Sequence, residues 1–175
     1  ILISLSITRP VAAIVETANA IAEGNFSKDI TTHQQDEIGE LATAFRNMKN
    51  RIRNVLKEMD GLTQSIQDGK LEIRGNTEVF EGVWQDLVVG INNVIDAFMT
   101  PFNVTAESVD RISKGDIPDT ITNEYNGDFN EIKNNLNLLI EAMNDLTWLA
   151  EEMAVGNLTV EVKERSAQDT LMQAL

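Results

Sequence analysis

Four glycines, Gly24, Gly69, Gly115 and Gly156, stand 45, 46 and 41 residues apart, and each ends an apolar periodic stretch. Self-similarity at that period means repeated supersecondary units rather than one globular core. The segments are Ile21-Ala22-Glu23-Gly24-Asn25-Phe26, Ile66-Gln67-Asp68-Gly69-Lys70-Leu71, Ile112-Ser113-Lys114-Gly115-Asp116-Ile117 and Met153-Ala154-Val155-Gly156-Asn157-Leu158. A glycine just past an amphipathic run reads as a left-handed C′ residue that closes a helix. An apolar residue follows two positions later each time, at Phe26, Leu71, Ile117 and Leu158. Another follows six after the Gly at Ile30, Ile121 and Val162, where the second repeat has Gly75 with Ile73 nearby. Thirteen after the Gly come Glu37, Asp128 and Asp169, against Gly82 in the second repeat. A carboxylate in the first turn complements the free amides and the positive end of the helix dipole. Each unit therefore reads helix, Gly, extended connector with two apolar anchors, acidic start, helix.

The helices carry heptad spacing. Before the connector glycines the apolar sets are Ile7, Val11, Ile14, Ala18, Ile21, then Phe98, Phe102, Thr105, Val109, Ile112, and then Leu139, Met143, Leu146, Ala150, Met153. After the connectors they are Ile38, Leu41, Phe45, Met48, Ile52, then Trp84, Leu87, Ile91, Val94, Phe98, and then Phe129, Ile132, Leu136, Leu139, Met143. The second of these fits only if its connector is one residue longer. Two helices per unit cannot bury such thin seams alone, so the expected fold is all-α. It is a row of concatenated parallel four-helix coiled-coil bundles formed by a homodimer. A connector of 13 residues reaches roughly 40 Å at about 3.3 Å per residue, against about 27 Å for an 18-residue helix, so both helices of a unit run the same way.

The residues Ser6-Ile7-Thr8-Arg9-Pro10-Val11, then Ile21 to Phe26, then Asp36-Glu37-Ile38-Gly39-Glu40-Leu41-Ala42-Thr43-Ala44-Phe45-Arg46-Asn47-Met48 resemble the HAMP domain of bacterial transmembrane receptors. The membrane-proximal Pro, the Gly and the Asp-Glu-x-Gly box stand at that family's spacing. The third unit is similar, with Pro101 fourteen before Gly115 as Pro10 is before Gly24, and Gly127-Asp128 opening its second helix. The second unit lacks the Pro and the acidic start, and the fourth stops early in its second helix. The resemblance implies a tandem array of units over 8–57, 52–100, 98–146 and 139–175, sharing helices where they overlap. It also implies that Glu37 and Asp128 influence signalling state beyond their local dipole role, and that Gly39 belongs to the family box. Residues 1–7, with Arg9 and Pro10 beyond them, read as the end of a transmembrane helix or its cytosolic extension, with an ordinary amphipathic helix start as the alternative. Seven residues are too few to span a bilayer, which takes about 20.

Charge and composition narrow the function. The net charge is −14, and the first 57 residues hold seven of the 14 basic residues but only six of the 28 acidic ones. Such a balance excludes a nucleic-acid partner, whose phosphates need Lys and Arg. With no Cys, thiolate catalysis and Cys-ligated metals are excluded. His33 sits in a polar connector with no nucleophile arrangement around it, and no phosphate loop or EF-hand loop is present. No catalytic, metal or cofactor site is expected. The run Arg46, Lys49, Arg51, Arg53, Lys57 reads as a solvated helix face.

Each second helix is expected to continue into the next unit's first helix, with Pro101 marking the second join. Heptad steps across the first join run 3,4,3,4,4,3,4,3 from Ile38 to Ile66, and the doubled four at Met48, Ile52 and Leu56 is a stutter. The second join repeats it at Val94, Phe98 and Phe102, while the third lacks it. Two functions fit: a signal relay, on the cytoplasmic side of the bacterial inner membrane, between an upstream membrane helix and a downstream output domain; or a passive dimerising spacer. Small and polar residues in the seams, such as Ala18, Thr63, Thr105 and Ala150, leave layers that repack cheaply and favour the relay.

Overall fold

The computed structural model describes residues 4–174. A π-helical turn at Ser4–Thr8 runs into α1 (Arg9–Ala22), followed by α2 (Glu37–Gln67), α3 (Val83–Ser113), α4 (Asp128–Ala154) and the single turn α5 (Thr170–Gln173). No strand occurs among the described residues. The first three residues of the expected membrane-proximal segment 1–7 lie outside this range. α2 and α3 have 31 residues each and α4 has 27, so each long helix runs through from one connector to the next as the heptads require. The four-residue difference equals the stutter that the third join lacks.

The chain divides into two compact units, Ile1–Asp96 and Ala97–Leu175, with the boundary inside α3. In the first, Ile14 of α1, Ile30 of the first connector and Ala42 of α2 form one core cluster, flanked by Ile38 and Phe45. Val55 of α2, Phe80 of the second connector and Val88 of α3 form another, flanked by Met59. In the second unit the buried residues of α4 are Leu136, Ile140, Ala142 and Leu149, and Met172 of α5 is buried too.

One helix serves two connectors on two faces. Along α2, Ala42 and Lys49 are buried seven residues apart, and so are Val55 and Leu62, but Lys49 and Val55 are separated by six. At about 100° per residue, the step of six turns the buried face by roughly 120°.

Two details depart from the sequence reading, and a third is explained. Leu158, expected as an anchor over a helix groove, is 77% exposed and lines the rim of a hollow beside Leu149, Met153 and Val162. Phe80 was not singled out, yet it is 4% exposed and takes the anchoring role in the second connector. Gly75 leaves that role vacant for a steric reason: a Cβ there would lie 2.8 Å from Val88 Cγ1 and 3.1 Å from Leu62 Cδ1.

Candidate functional site: the connectors and their helix attachments

All four connectors leave their first helix by the same backbone device. Gly24, Gly69, Gly115 and Gly156 have φ of +80°, +76°, +79° and +87°. At the first, the Gly24 N–H donates to the Ile21 carbonyl at 2.9 Å and the Asn25 N–H to the Ala20 carbonyl at 2.8 Å, and the other three repeat the pattern. This is the pair of hydrogen bonds of a Schellman closure. A Cβ at any of the four would meet nothing within 4 Å, so the requirement for glycine is the left-handed backbone and not space.

Beyond the turn, Ile30 is buried, while Phe26, Leu71, Ile117, Ile121 and Val162 are half-buried. The first connector is also strapped by cations. Lys49, buried to 3% exposure, donates from Nζ to the Lys28 carbonyl at 2.6 Å and pairs with the Asp29 carboxylate. Arg46 donates from Nη1 to the Ile30 and Thr32 carbonyls at 3.1 and 2.7 Å. Two members of the basic run are therefore structural cations rather than a solvated face: the connector's carbonyls face the helix and need donors long enough to reach them. Arg51, Arg53 and Lys57 are exposed as expected.

The hydrogen bond and charge of Lys49 hold the Asp29 carboxyl below its ordinary value. Arg111 does the same for Asp116 through contacts of 2.6 and 3.0 Å. Such pairings stabilise the fold above the ordinary carboxylate range, and that stability is lost as pH falls through the depressed values. Thermal unfolding should be flat between pH 7 and about 5 and weaken below about 4. Lys49→Met leaves the Lys28 carbonyl short of a donor and should cost about 1–3 kcal/mol at pH 7. That loss should shrink in acid, and a loss independent of pH would show that the Asp29 pairing contributes nothing.

At the start of α1, Pro10 has no N–H to offer the carbonyl of Ser6, four residues back. Gln34, at the end of the first connector, donates from Nε2 to that carbonyl at 2.9 Å. The backbone of Gln34 lies directly on Gly39, where an added Cβ would sit 1.7 Å from the Gln34 carbonyl oxygen. Gly39 N–H donates in turn to the Asp36 carboxylate at 3.0 Å, which caps α2. The capping acid is thus Asp36, while Glu37 is the first helical residue and exposed. Pro10, Gln34 and the Asp-Glu-x-Gly box form one continuous set of contacts between the entering helix and the start of the next.

The other helix starts use different chemistry at equivalent places. Gly127 (φ +54°) precedes Asp128 in α4, and Gly82 (φ +58°) precedes Val83 in α3. α3 begins fourteen residues after Gly69, whereas α2 and α4 begin thirteen after Gly24 and Gly115. The second connector is longer by one, as the heptads demanded. Asp169 caps α5 through the Met172 N–H at 3.3 Å and is gripped by Arg165 at 2.7 and 2.8 Å, which holds its carboxyl well below the usual range.

The heptad seam lies open in the single protomer. Leu41, Met48, Leu56 and Ile66 on α2, Leu87, Val94, Phe98, Phe102 and Val109 on α3, and Ile132, Leu139 and Met153 on α4 are 40–69% exposed. Of the other junction residues, Ile52 is half-buried and Pro101 buried. Phe98 stacks on Phe102 at 6.4 Å between ring centres and meets Phe129 edge-on at 5.9 Å. An open apolar groove of about 520 Å³ is lined by Ile112, Met143, Leu146 and Ala150, all seam positions. His33 is exposed on its connector, and no group of three or more His, Cys, Asp or Glu among the described residues is placed to hold a metal.

Sequence reasoning missed Phe80, Gln34, the straps by Arg46 and Lys49, and the capping role of Asp36 within the family box. Repeat alignment of apolar residues and glycines does not register polar contacts, and Phe80, Gln34 and Lys49 each serve one connector only.

Residues 2–54 and 79–145 match the HAMP domain family. Over 77 residues, 44% of the chain, the sequence is 31% identical to the methyl-accepting chemotaxis protein McpA of Bacillus subtilis (strain 168). That stretch spans 11% of the relative's own length. With two matches in succession, and helices running unbroken from one connector to the next, the chain belongs to the HAMP domain family and is a tandem array of its domains.

Proposed function

We propose that this array is the cytoplasmic signal-relay module of a chemoreceptor-like membrane protein, acting as a parallel homodimer. The carrying observation is the open seam: large apolar residues at heptad spacing along three successive helices stay exposed in one protomer, and apolar surface on that scale needs a partner. A second copy in parallel register offers an identical stripe, so two helices from each protomer close a four-helix bundle at every unit. The second and fourth units, 52–100 and 139–175, are read as HAMP units that depart from the family pattern. Upstream a membrane helix would deliver displacement to α1, and downstream an output domain would receive it. α3 is long and apolar enough to cross a membrane by length and composition. Its Asn92 and Asp96, however, bond to the second connector, and we assign it to the aqueous bundle row.

In this reading each bundle has two packings of similar free energy, and a shift of the entering helix biases one of them. Stutters at Ile52–Leu56 and Phe98–Phe102 hold neighbouring units in offset rotations, so repacking in one is answered by the opposite repacking in the next. Deleting Arg53 to Leu56 restores an uninterrupted heptad and should lock or invert output from a domain attached after residue 175. Unaltered output would reduce the array to a spacer.

A further inference from the structure

The carboxamide of Asn137 in α4 closes two hydrogen bonds on the backbone of one connector residue. The Ile121 N–H donates to its Oδ1 at 2.7 Å, and its Nδ2 donates to the Ile121 carbonyl at 3.0 Å. Asn92 in α3 does the same to Gly75, at 2.9 and 3.0 Å. Ile121 and Gly75 are each six residues past their connector glycine. Asn137 follows Ile121 by sixteen residues and Asn92 follows Gly75 by seventeen, the difference being the extra residue of the second connector. In the first unit Arg46 stands sixteen past Ile30 and takes its carbonyl. Three connectors of unlike sequence are thus held at one backbone position by a side chain of their own second helix.

A planar carboxamide presents a donor and an acceptor at the spacing of a peptide group, so it pairs with one residue's N–H and C=O as an antiparallel neighbour would. Arginine has only donors, which is why Arg46 takes carbonyls alone. Ile30 shares a core cluster with Ile14, and Phe80 with Val55, but the polar links of these two connectors back to their first helices, that of Gln34 included, are exposed. Lys28 and Glu16 form an exposed ion pair, and the Asn76 N–H reaches the exposed-side carboxylate of Glu58 at 2.7 Å. Exposed pairs contribute little, whereas part-buried paired hydrogen bonds are costly to break.

We infer that Asn92 and Asn137, with Arg46 in the same place, are positioning residues that fasten each connector to its own second helix, so that the two move as one piece and displacement of the first helix is taken up at the connector glycine. This rests on the relay reading, whose own failure shows separately in the Arg53–Leu56 deletion.

Amide hydrogen exchange on this chain tests it. Asn137→Ala should speed exchange at the Ile121 N–H at least tenfold and leave the interior amides of α4 unchanged. Unchanged exchange at Ile121, or acceleration spread evenly through α4, overturns the fastening. Asn137→Asp keeps an acceptor but confronts the Ile121 carbonyl with a carboxylate at neutral pH. Facing a carbonyl raises that carboxyl's pKa, and once protonated it donates. Protection at Ile121, corrected for intrinsic exchange, should be low at pH 7 and recover as the pH is lowered to about 5. A side chain that merely fills space would give the same protection at both, and that result also overturns the proposal. With an output domain attached, Asn137→Ala should shift basal output, and faster Ile121 exchange with unshifted output would sink the coupling.

Discussion

Gly39→Ala is expected to cost the first unit about 3 kcal/mol or more, at the upper end of overpacking penalties. The added Cβ would sit 1.7 Å from the Gln34 carbonyl oxygen and 2.5 Å from its carbonyl carbon, and both are backbone atoms. Gln34 cannot withdraw freely, since its side chain is committed to the Ser6 carbonyl and two residues on Asp36 caps the helix through the Gly39 N–H. Relief would need the connector end to move off α2, uncapping the helix and releasing α1 together. A fall in Tm of more than about 10 °C should follow for a domain this small. Gly61→Ala is the control: it lies mid-helix in α2, a Cβ there meets nothing within 4 Å, and alanine should add about 0.5–1 kcal/mol. Equal Tm for the two variants would show that the Gly39 approach is not tight in solution.

Val94→Glu is expected to raise the dissociation constant of the proposed homodimer on the order of 100-fold or more. Val94 is 69% exposed in the protomer, so the substitution takes little from the protomer's own packing. In the pair both copies would bring a carboxylate into an apolar layer, and an unpaired buried charge costs several kcal/mol unless it neutralises. Acid should therefore partly restore pairing, because a protonated carboxyl is cheaper to bury. Sedimentation velocity at pH 7 and 5 separates these outcomes. A dimer as tight as the unsubstituted one at pH 7 would remove Val94 from the interface, and with it the parallel in-register seam.

Periodic glycines and apolar residues proved legible, and the polar contacts did not. The four connector glycines announce themselves because only one backbone conformation closes a helix that way, and all four have positive φ. The extra residue of the second connector could be counted from heptad phase alone. Leu158 stands in the same slot as the other anchors yet is 77% exposed, so the slot alone does not set burial. Lys49 misled differently: charge alternation along a helix marks a wet face only if no chain crosses it, and the first connector does. The acid that caps α2 lies one residue before the one repeat alignment selects, since position thirteen is the first helical residue in α2 and α4 and the cap itself in α5.

The two buried faces of α2 carry a consequence for how such a chain can vary. Ala42 and Lys49 serve one connector, Val55 and Leu62 the next, and the five residues between them set the angle. Exchanging any of those five for another helix former leaves the angle alone. Adding or removing one turns everything beyond it by about 100° and delivers the wrong side of the helix to Phe80. Over evolutionary time the spelling of this segment, outside the seam position Ile52, is free to drift while its length is held, and related arrays should differ there by substitution and almost never by a single-residue gap.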